Sequence, residues 1–186
     1  MFPSIILASK SPRRQQLLSY ANVQYEVMVA TGEEIIPENS RPSQVAISIA
    51  SQKIEQLGLV QEARPILAAD TIVVCGREIF GKPANEVEAI KMLTMLSGRM
   101  HEVITGVCIR HQGKEISFYD KTDVYFNDLS ASDIAYYVHT ARPFDKAGGY
   151  GIQEWIGYTG VKKIEGDYYN VMGLPISRVV QALRGL

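Results

Sequence analysis

The run Ser9-Lys10-Ser11-Pro12-Arg13-Arg14 puts two guanidinium groups and hydroxyls where an apolar stretch gives way to a helix start. Free backbone N–H groups and the helix dipole favour an anion at such a place, and Arg binds phosphate bidentately. Positive charge in a first helical turn otherwise opposes the dipole. The segment is therefore either an anion site or a capped helix with solvated arginines. Lys53 breaks a second rule. On a helical wheel of about 100° per residue, Val45, Ala46, Ile49, Ala50, Ile54 and Leu57 share one half, and Lys53 falls in its middle. A lysine there must snorkel out, pair, or face a ligand. Asp70 breaks a third, because it interrupts Ile66-Leu67-Ala68-Ala69-Asp70-Thr71-Ile72-Val73-Val74, which otherwise reads as a core strand. A buried carboxylate without a partner costs several kcal/mol or neutralises itself, so a cation must stand beside Asp70, either Lys/Arg or a metal. A structural ion pair satisfies the same requirement.

Other patterns say less. Gly76-Arg77-Glu78-Ile79-Phe80-Gly81-Lys82 fits the start of a P-loop, but Pro83 replaces the Ser/Thr that would meet Mg²⁺ and blocks a smooth helix start. The match is accidental, although Lys82 stays a candidate phosphate contact. Glu33-Glu34 is a loop acidic pair of the kind usually left in water. Lys146-Ala-Gly-Gly-Tyr-Gly-Ile-Gln153 is a Gly-rich turn that permits close backbone approach. Gln153 offers the donor and the acceptor that reading a base edge requires. There is no GxSxG for a hydrolase triad, and His101, His111 and His139 form no HExxH or CxxC-linked zinc pattern.

Short apolar strands alternate with helical patterns, which predicts an α/β fold. Strands are expected at Ser4–Ala8, Tyr25–Val29 and Ile66–Cys75, the last turning at Gly76 into 78–80. His101–Arg110 and Glu115–Phe126 should form a hairpin around Gln112-Gly113-Lys114. Helices are expected at Pro12–Tyr20 with Ser11 as cap, at Ser43–Leu59, and from Asn85, boxed with Glu88, to Gly98. Two more should run from Ser130 to about His139 and from Pro175 to Leu183. No periodic element is assigned between Pro143 and Pro175.

The chain has 186 residues, 46% hydrophobic and 21% charged, which suits one folded domain of one or two lobes and not a disordered segment. Lys+Arg 19 against Asp+Glu 20 argues against a coat for nucleic acid or anionic membrane. No apolar run approaches a membrane span, and Met1-Phe2-Pro3-Ser4 has no basic n-region of a signal peptide. Cys75 and Cys108, each within an apolar run, are expected as buried free thiols, with the cytoplasm as the location.

Taken in order, Ala8 to Arg14, Ala69-Asp70-Thr71, Gly81-Lys82-Pro83, Leu96-Ser97-Gly98, Thr105-Gly106-Val107, Asp145 to Gln153 and Asn170 to Pro175 resemble the Maf family of nucleoside triphosphate pyrophosphatases. The resemblance covers about residues 4 to 183. It implies a single domain over 1–186 with an elongated, two-lobed mixed sheet flanked by helices. That fold is related to the inosine triphosphate pyrophosphatases and has a central cleft. It also implies hydrolysis of a nucleoside triphosphate to monophosphate and pyrophosphate with a divalent cation, Mg²⁺ or Mn²⁺. On this resemblance Asp70 is the proton acceptor, and Arg14, Lys53 and Lys82 are the basic residues facing phosphate, with Ser9 beside them. Arg13, Thr71 and Gln153 are linked with base choice and resemble the branch acting on dTTP and UTP rather than 7-methyl-GTP. Lys146 joins the substrate-binding set. Glu34, with Asp70, is the metal ligand, although the loop Thr31-Gly32-Glu33-Glu34 lacks the Asp-Glu pair of many members and keeps Glu33 in contention. The expected partner is a nucleotide, with no nucleic acid and no membrane, and a homodimer is left open. The alternatives are a nucleotide-binding regulator of cell division without turnover, or the same chemistry on another nucleotide such as 7-methyl-GTP.

Overall fold

The computed structural model describes residues 4–29, 31–58 and 63–186. Met1-Phe2-Pro3, Leu59 and part of the loop before Pro65 lie outside the described residues. The fold is a mixed α/β arrangement built on a seven-stranded sheet flanked by helices. In chain order the elements begin with β1 (Ile5–Leu7), α1 (Pro12–Tyr20), β2 (Tyr25–Val27), α2 (Pro42–Glu55), β3 (Ile66–Cys75) and β4 (Glu78–Phe80). There follow α3 (Glu86–Leu96), β5 (Met100–His111), β6 (Lys114–Phe126), α4 (Ala131–Ala141) and a 3₁₀ turn at Ala147–Gly149. The chain closes with α5 (Trp155–Gly160), β7 (Val161–Glu165), α6 (Tyr168–Val171) and α7 (Ile176–Arg184). The sheet order is β2-β1-β3-β5-β6-β7, with β4 paired to β3 off this path. β1 runs parallel to β2 and β3, whereas β4 on β3 and β7 on β6 are antiparallel.

The chain divides into two compact units. The first comprises residues 1–70, 105–120 and 173–186, and the second 71–104 and 121–172. In the first, Ile6 of β1, Ala8 just after it, Ile66 and Ala68 of β3, Cys108 of β5 and Ala50 and Ile54 of α2 form one buried cluster. A Cβ on Gly106 would stand 2.3 Å from the carbonyl carbon of Ala46, so only glycine lets β5 lie this close to α2. That approach fixes α2, and Lys53 with it. In the second unit α3 packs on α4, and Leu93, Leu96, Ile134, Tyr137 and Val138 are buried. His101, Phe126 and Tyr150 form an edge-to-face aromatic cluster with centroids 4.9 to 5.4 Å apart.

Several expectations need correction. Ser11 stands at the N-cap of α1, yet its side chain makes no cap bond; its N–H donates instead to Ser9 Oγ at 3.2 Å. α2 starts one residue earlier than expected, with Pro42 at its first position, and its helical span ends at Glu55. β2 stops at Val27. Asn85 does accept from Glu88 N–H at 3.0 Å, but the Glu88 carboxylate takes the Ala84 N–H rather than that of Asn85. α5, β7 and α6 fill the stretch with no assigned element. They are four to six residues long, too short to carry a readable period. The strand at 66–75 and the cap of α4 by Ser130 are as expected, and the hairpin turn is Gln112-Gly113 alone, with Lys114 already in β6. Both turn residues have positive φ, as a type I′ hairpin requires. Cys75 and Cys108 are free and buried, and burial pushes the Cys108 thiol up to about 12. After Lys82 no helix begins until Glu86, so the P-loop-like run lacks the strand–loop–helix context it would need.

Candidate active site

In the first unit, five of the singled-out residues converge. Asp70 is the last residue of β3 in this unit, and it and Thr71 are half-buried in a strand otherwise buried throughout. The Lys53 ammonium lies 2.6 Å from Asp70 Oδ1 and 3.2 Å from Glu34 Oε1, and it reaches the Ala69 carbonyl at 3.4 Å. Of the three routes open to a lysine on an apolar face, this structure takes pairing. Lys53 and Asp70 are mostly covered, with side chains 16% and 14% exposed, while Glu34 is 48% exposed. Glu34, not Glu33, faces the ammonium; Glu33 contributes its carbonyl to Gln56 instead.

Arg14 is buried. Its Nε donates to the Gly173 carbonyl at 2.8 Å, and another guanidinium nitrogen donates to Ser9 Oγ at 3.0 Å. Burial lowers its pKa; the charges of Asp70 and Glu34 pull it back up, and Arg13 pushes it down. All four charged groups therefore share one electrostatic neighbourhood. Ser9 Oγ accepts from both Arg14 and the Ser11 N–H, which ties the guanidinium to the start of α1. No acidic residue sits in the first turn of α1 to offset this positive charge. The arrangement suits a polyanion whose charge completes the set.

Two carboxylate oxygens aimed at one ammonium also test the expected metal. Hard oxygen donors suit Mg²⁺ or Mn²⁺, and Mg²⁺ commonly uses one or two carboxylates and fills the rest with water and phosphate oxygens. Asp70 and Glu34 fit that donor set, and Lys53 already brings a positive charge to both. No cluster of three or more His, Cys, Asp or Glu suited to a metal occurs among the described residues.

In the second unit Lys146 is buried and ion-paired, 2.7 Å from Asp145 Oδ1 and 3.1 Å from Glu154 Oε1. Glu154 also accepts from the Tyr137 hydroxyl, and that hydroxyl receives the Gly151 N–H at 3.0 Å. Burial first, and the Glu154 contact second, raise the Tyr137 pKa. This network braces the Gly-rich turn, whose Gly148 N–H donates to the Gly81 carbonyl at 3.0 Å, next to the exposed Lys82. Gln153 lies on the braced turn. Its Oε1 is buried without a hydrogen-bond partner among the described residues, a state that a ligand donor would relieve. Thr71 is half-buried and engaged. Glu154 and Tyr137 escaped the sequence reading: their partners lie far along the chain, and each by itself is an ordinary helix-cap or helix residue.

Sheet and site together define an α/β protein with a carboxylate pair, a bridging lysine and a buried arginine. The chain belongs to the Maf-like protein family, whose model matches residues 4–186. It is 49% identical over 179 residues to a dTTP/UTP pyrophosphatase of Cytophaga hutchinsonii, covering 96% of this chain and 82% of that protein. It is 48% identical over 180 residues to a dTTP/UTP pyrophosphatase of Bacillus cereus, covering 97% and 94%. Among solved structures it resembles a HAM1 protein from Coxiella burnetii, with TM-score 0.52 and 13% identity over the whole of both chains, a likeness of fold alone.

Proposed function

We propose that this protein hydrolyses dTTP and UTP to the nucleoside monophosphate and pyrophosphate. The observation that carries the reading is the Asp70–Lys53–Glu34 convergence beside buried Arg14, in a chain nearly half identical to proteins named for that activity. A pure anion binder gains nothing from two carboxylates next to its basic groups. Asp70 takes the proton of the water that attacks the α-phosphorus, and Lys53, 2.6 Å away, holds the carboxylate in place until then. Arg14, fixed by Ser9 and Gly173, faces phosphate charge without the cost of ordering its side chain. Asp70 and Glu34 would hold a divalent cation, which supplies charge neutralisation at the phosphates and the leaving pyrophosphate. Lys82 keeps the phosphate role given by the resemblance, and Arg13, Thr71 and Gln153 keep that of base choice, with Lys146 in the turn that carries Gln153.

Uracil and thymine present acceptor–donor–acceptor along the pairing edge, and an amide complements part of that pattern. Cytosine swaps one acceptor for a donor, and one mispaired polar group should lower kcat/KM for CTP roughly 5- to 150-fold. Cytoplasmic residence, without nucleic acid as partner, belongs to the same reading; the near-neutral charge and the two buried free thiols support it. No helix among the described residues is long and apolar enough to cross a membrane. Pyrophosphate release from a panel of dTTP, UTP, CTP and 7-methyl-GTP with Mg²⁺ or Mn²⁺ tests the proposal. Fast turnover of dTTP and UTP is expected. Preference for CTP or 7-methyl-GTP would sink the substrate assignment, and tight binding without product would sink the enzyme.

A further inference from the structure

Glu34 lies in a stretch, residues 31–37, that has no helix or strand of its own. An open cavity of about 460 Å³, lined by Glu33, Ile35, Pro37, Ser48, Gln52 and Gln56 among others, separates parts of this stretch from α2. Ile35 and Ile36 are exposed, so apolar packing does little to fix it. Hydrogen bonds do the fixing. Gln52 Oε1 accepts from the Ile35 N–H at 2.8 Å, and Gln52 Nε2 donates to the Ile35 carbonyl at 2.8 Å. A carboxamide carries the same donor and acceptor as a peptide group, so Gln52 pairs with Ile35 as a neighbouring strand would. Gln52 Nε2 is itself steadied by Ser48 Oγ at 3.1 Å. One helical turn later, Gln56 Nε2 donates to the Glu33 carbonyl at 2.8 Å. Positions four apart share a helix face, so both amides reach the same strip of backbone. Gly32 leaves room for this, since a Cβ there would lie 2.5 Å from Gln56 Cδ.

The residues on both sides of Glu34 are thus held by side chains on either side of Lys53, Gln52 on α2 and Gln56 at its C-cap. Glu34 is exposed enough that water competes for its carboxylate, and an unheld loop would leave Lys53 for much of the time. We propose that Gln52, seconded by Gln56, is a positioning residue that keeps Glu34 against Lys53 by pairing with the backbone of Ile35. The proposal rests on the pyrophosphatase reading, in which Glu34 acts beside Asp70.

Two variants of the full chain test it: Gln52→Ala removes both bonds, and Gln52→Glu keeps the acceptor but loses the donor. Three quantities are read: hydrogen exchange of the Ile35 amide, the thermal midpoint, and kcat and KM for dTTP. Each is measured in the wild-type and Glu34→Gln backgrounds. For Gln52→Ala, Ile35 protection should fall about tenfold or more and kcat/KM about 5- to 10-fold, mostly in kcat, with the midpoint nearly unmoved. In the Glu34→Gln background the same change should cost less than about twofold, because it acts only through Glu34. Gln52→Glu should fall between. Unchanged Ile35 exchange, wild-type kcat/KM despite lost protection, or an equal loss in both backgrounds overturns the proposal. Absence of dTTP and UTP turnover in the wild type overturns the pyrophosphatase reading instead, and the Ile35 amide alone then decides whether the clamp exists.

Discussion

Lys53 in the first unit and Lys146 in the second are each flanked by two carboxylates at nearly the same distances, 2.6 and 3.2 Å against 2.7 and 3.1 Å. Their surroundings set them apart. Around Lys146 the bracing is tighter on one side: Glu154 is held by Tyr137, Tyr137 by the Gly151 N–H, and the lysine side chain is only 9% exposed, while Asp145 is half exposed. Around Lys53 the set is open. One carboxylate comes from a half-buried strand position and the other from an exposed loop, and buried Arg14 adds a further positive charge nearby. The same trio of groups is a brace where the lysine is covered and one carboxylate is itself held by a buried hydroxyl. In the proposed function it is a reactive centre, with one face left for an incoming anion and a proton. Burial and surrounding partners, rather than the ion pair itself, decide between structure and chemistry.

Substitutions in the two trios should therefore fail in different ways. Lys53→Met should lower kcat about 10²- to 10³-fold, since it removes a charge that stabilises the phosphates and frees two carboxylates to repel each other. Steady-state pyrophosphate release checks this, and a loss confined to the thermal midpoint would place Lys53 among the braces. Glu154→Ala should cost about 3 kcal/mol of stability, at the low end for breaking a buried pair because Asp145 remains beside Lys146. Urea unfolding reads that loss, and kcat should change much less than for Lys53→Met.

His101 sharpens the contrast from the second unit alone. It is wholly buried, its Nε2 lies 2.7 Å from the Tyr150 hydroxyl, and its Nδ1 has no partner among the described residues. Burial pushes its pKa down to about 4 from 6.5. The unfolded chain then binds more protons than the native one between these values, so stability is full above about pH 6.5 and falls as the pH drops towards 4. From pH 7.5 to 5 the loss from this group should be about 2 kcal/mol, and His101→Phe should remove that part of the slope. Equal slopes in wild type and variant would contradict the assignment.

Much of the first unit's site is legible in the sequence because each residue offends a local rule. Arg13 and Arg14 oppose a helix dipole, Lys53 lies on an apolar face, and Asp70 interrupts a core strand. Glu34 offends none, since an acidic loop residue is the ordinary state, and it came only with the family resemblance. Gln52 and Gln56 are equally silent, as half-exposed and exposed glutamines are common on and just after helices and their partners are backbone atoms far along the chain. The region after Pro143 is opaque for another reason. Its elements are too short for periodicity, and its order comes from the contacts of Tyr137, Lys146 and Glu154, which no local pattern announces.

The account stands most directly on Asp70. Asp70→Asn keeps the shape and removes the charge and the basicity, and the neighbouring Lys53 can still donate to the amide oxygen. Pyrophosphate release from dTTP should fall at least about 10²-fold in this variant, while its thermal midpoint stays within a few degrees of wild type. A folded Asp70→Asn protein that turns dTTP over at the wild-type rate would contradict the assignment of the open trio as the reacting centre.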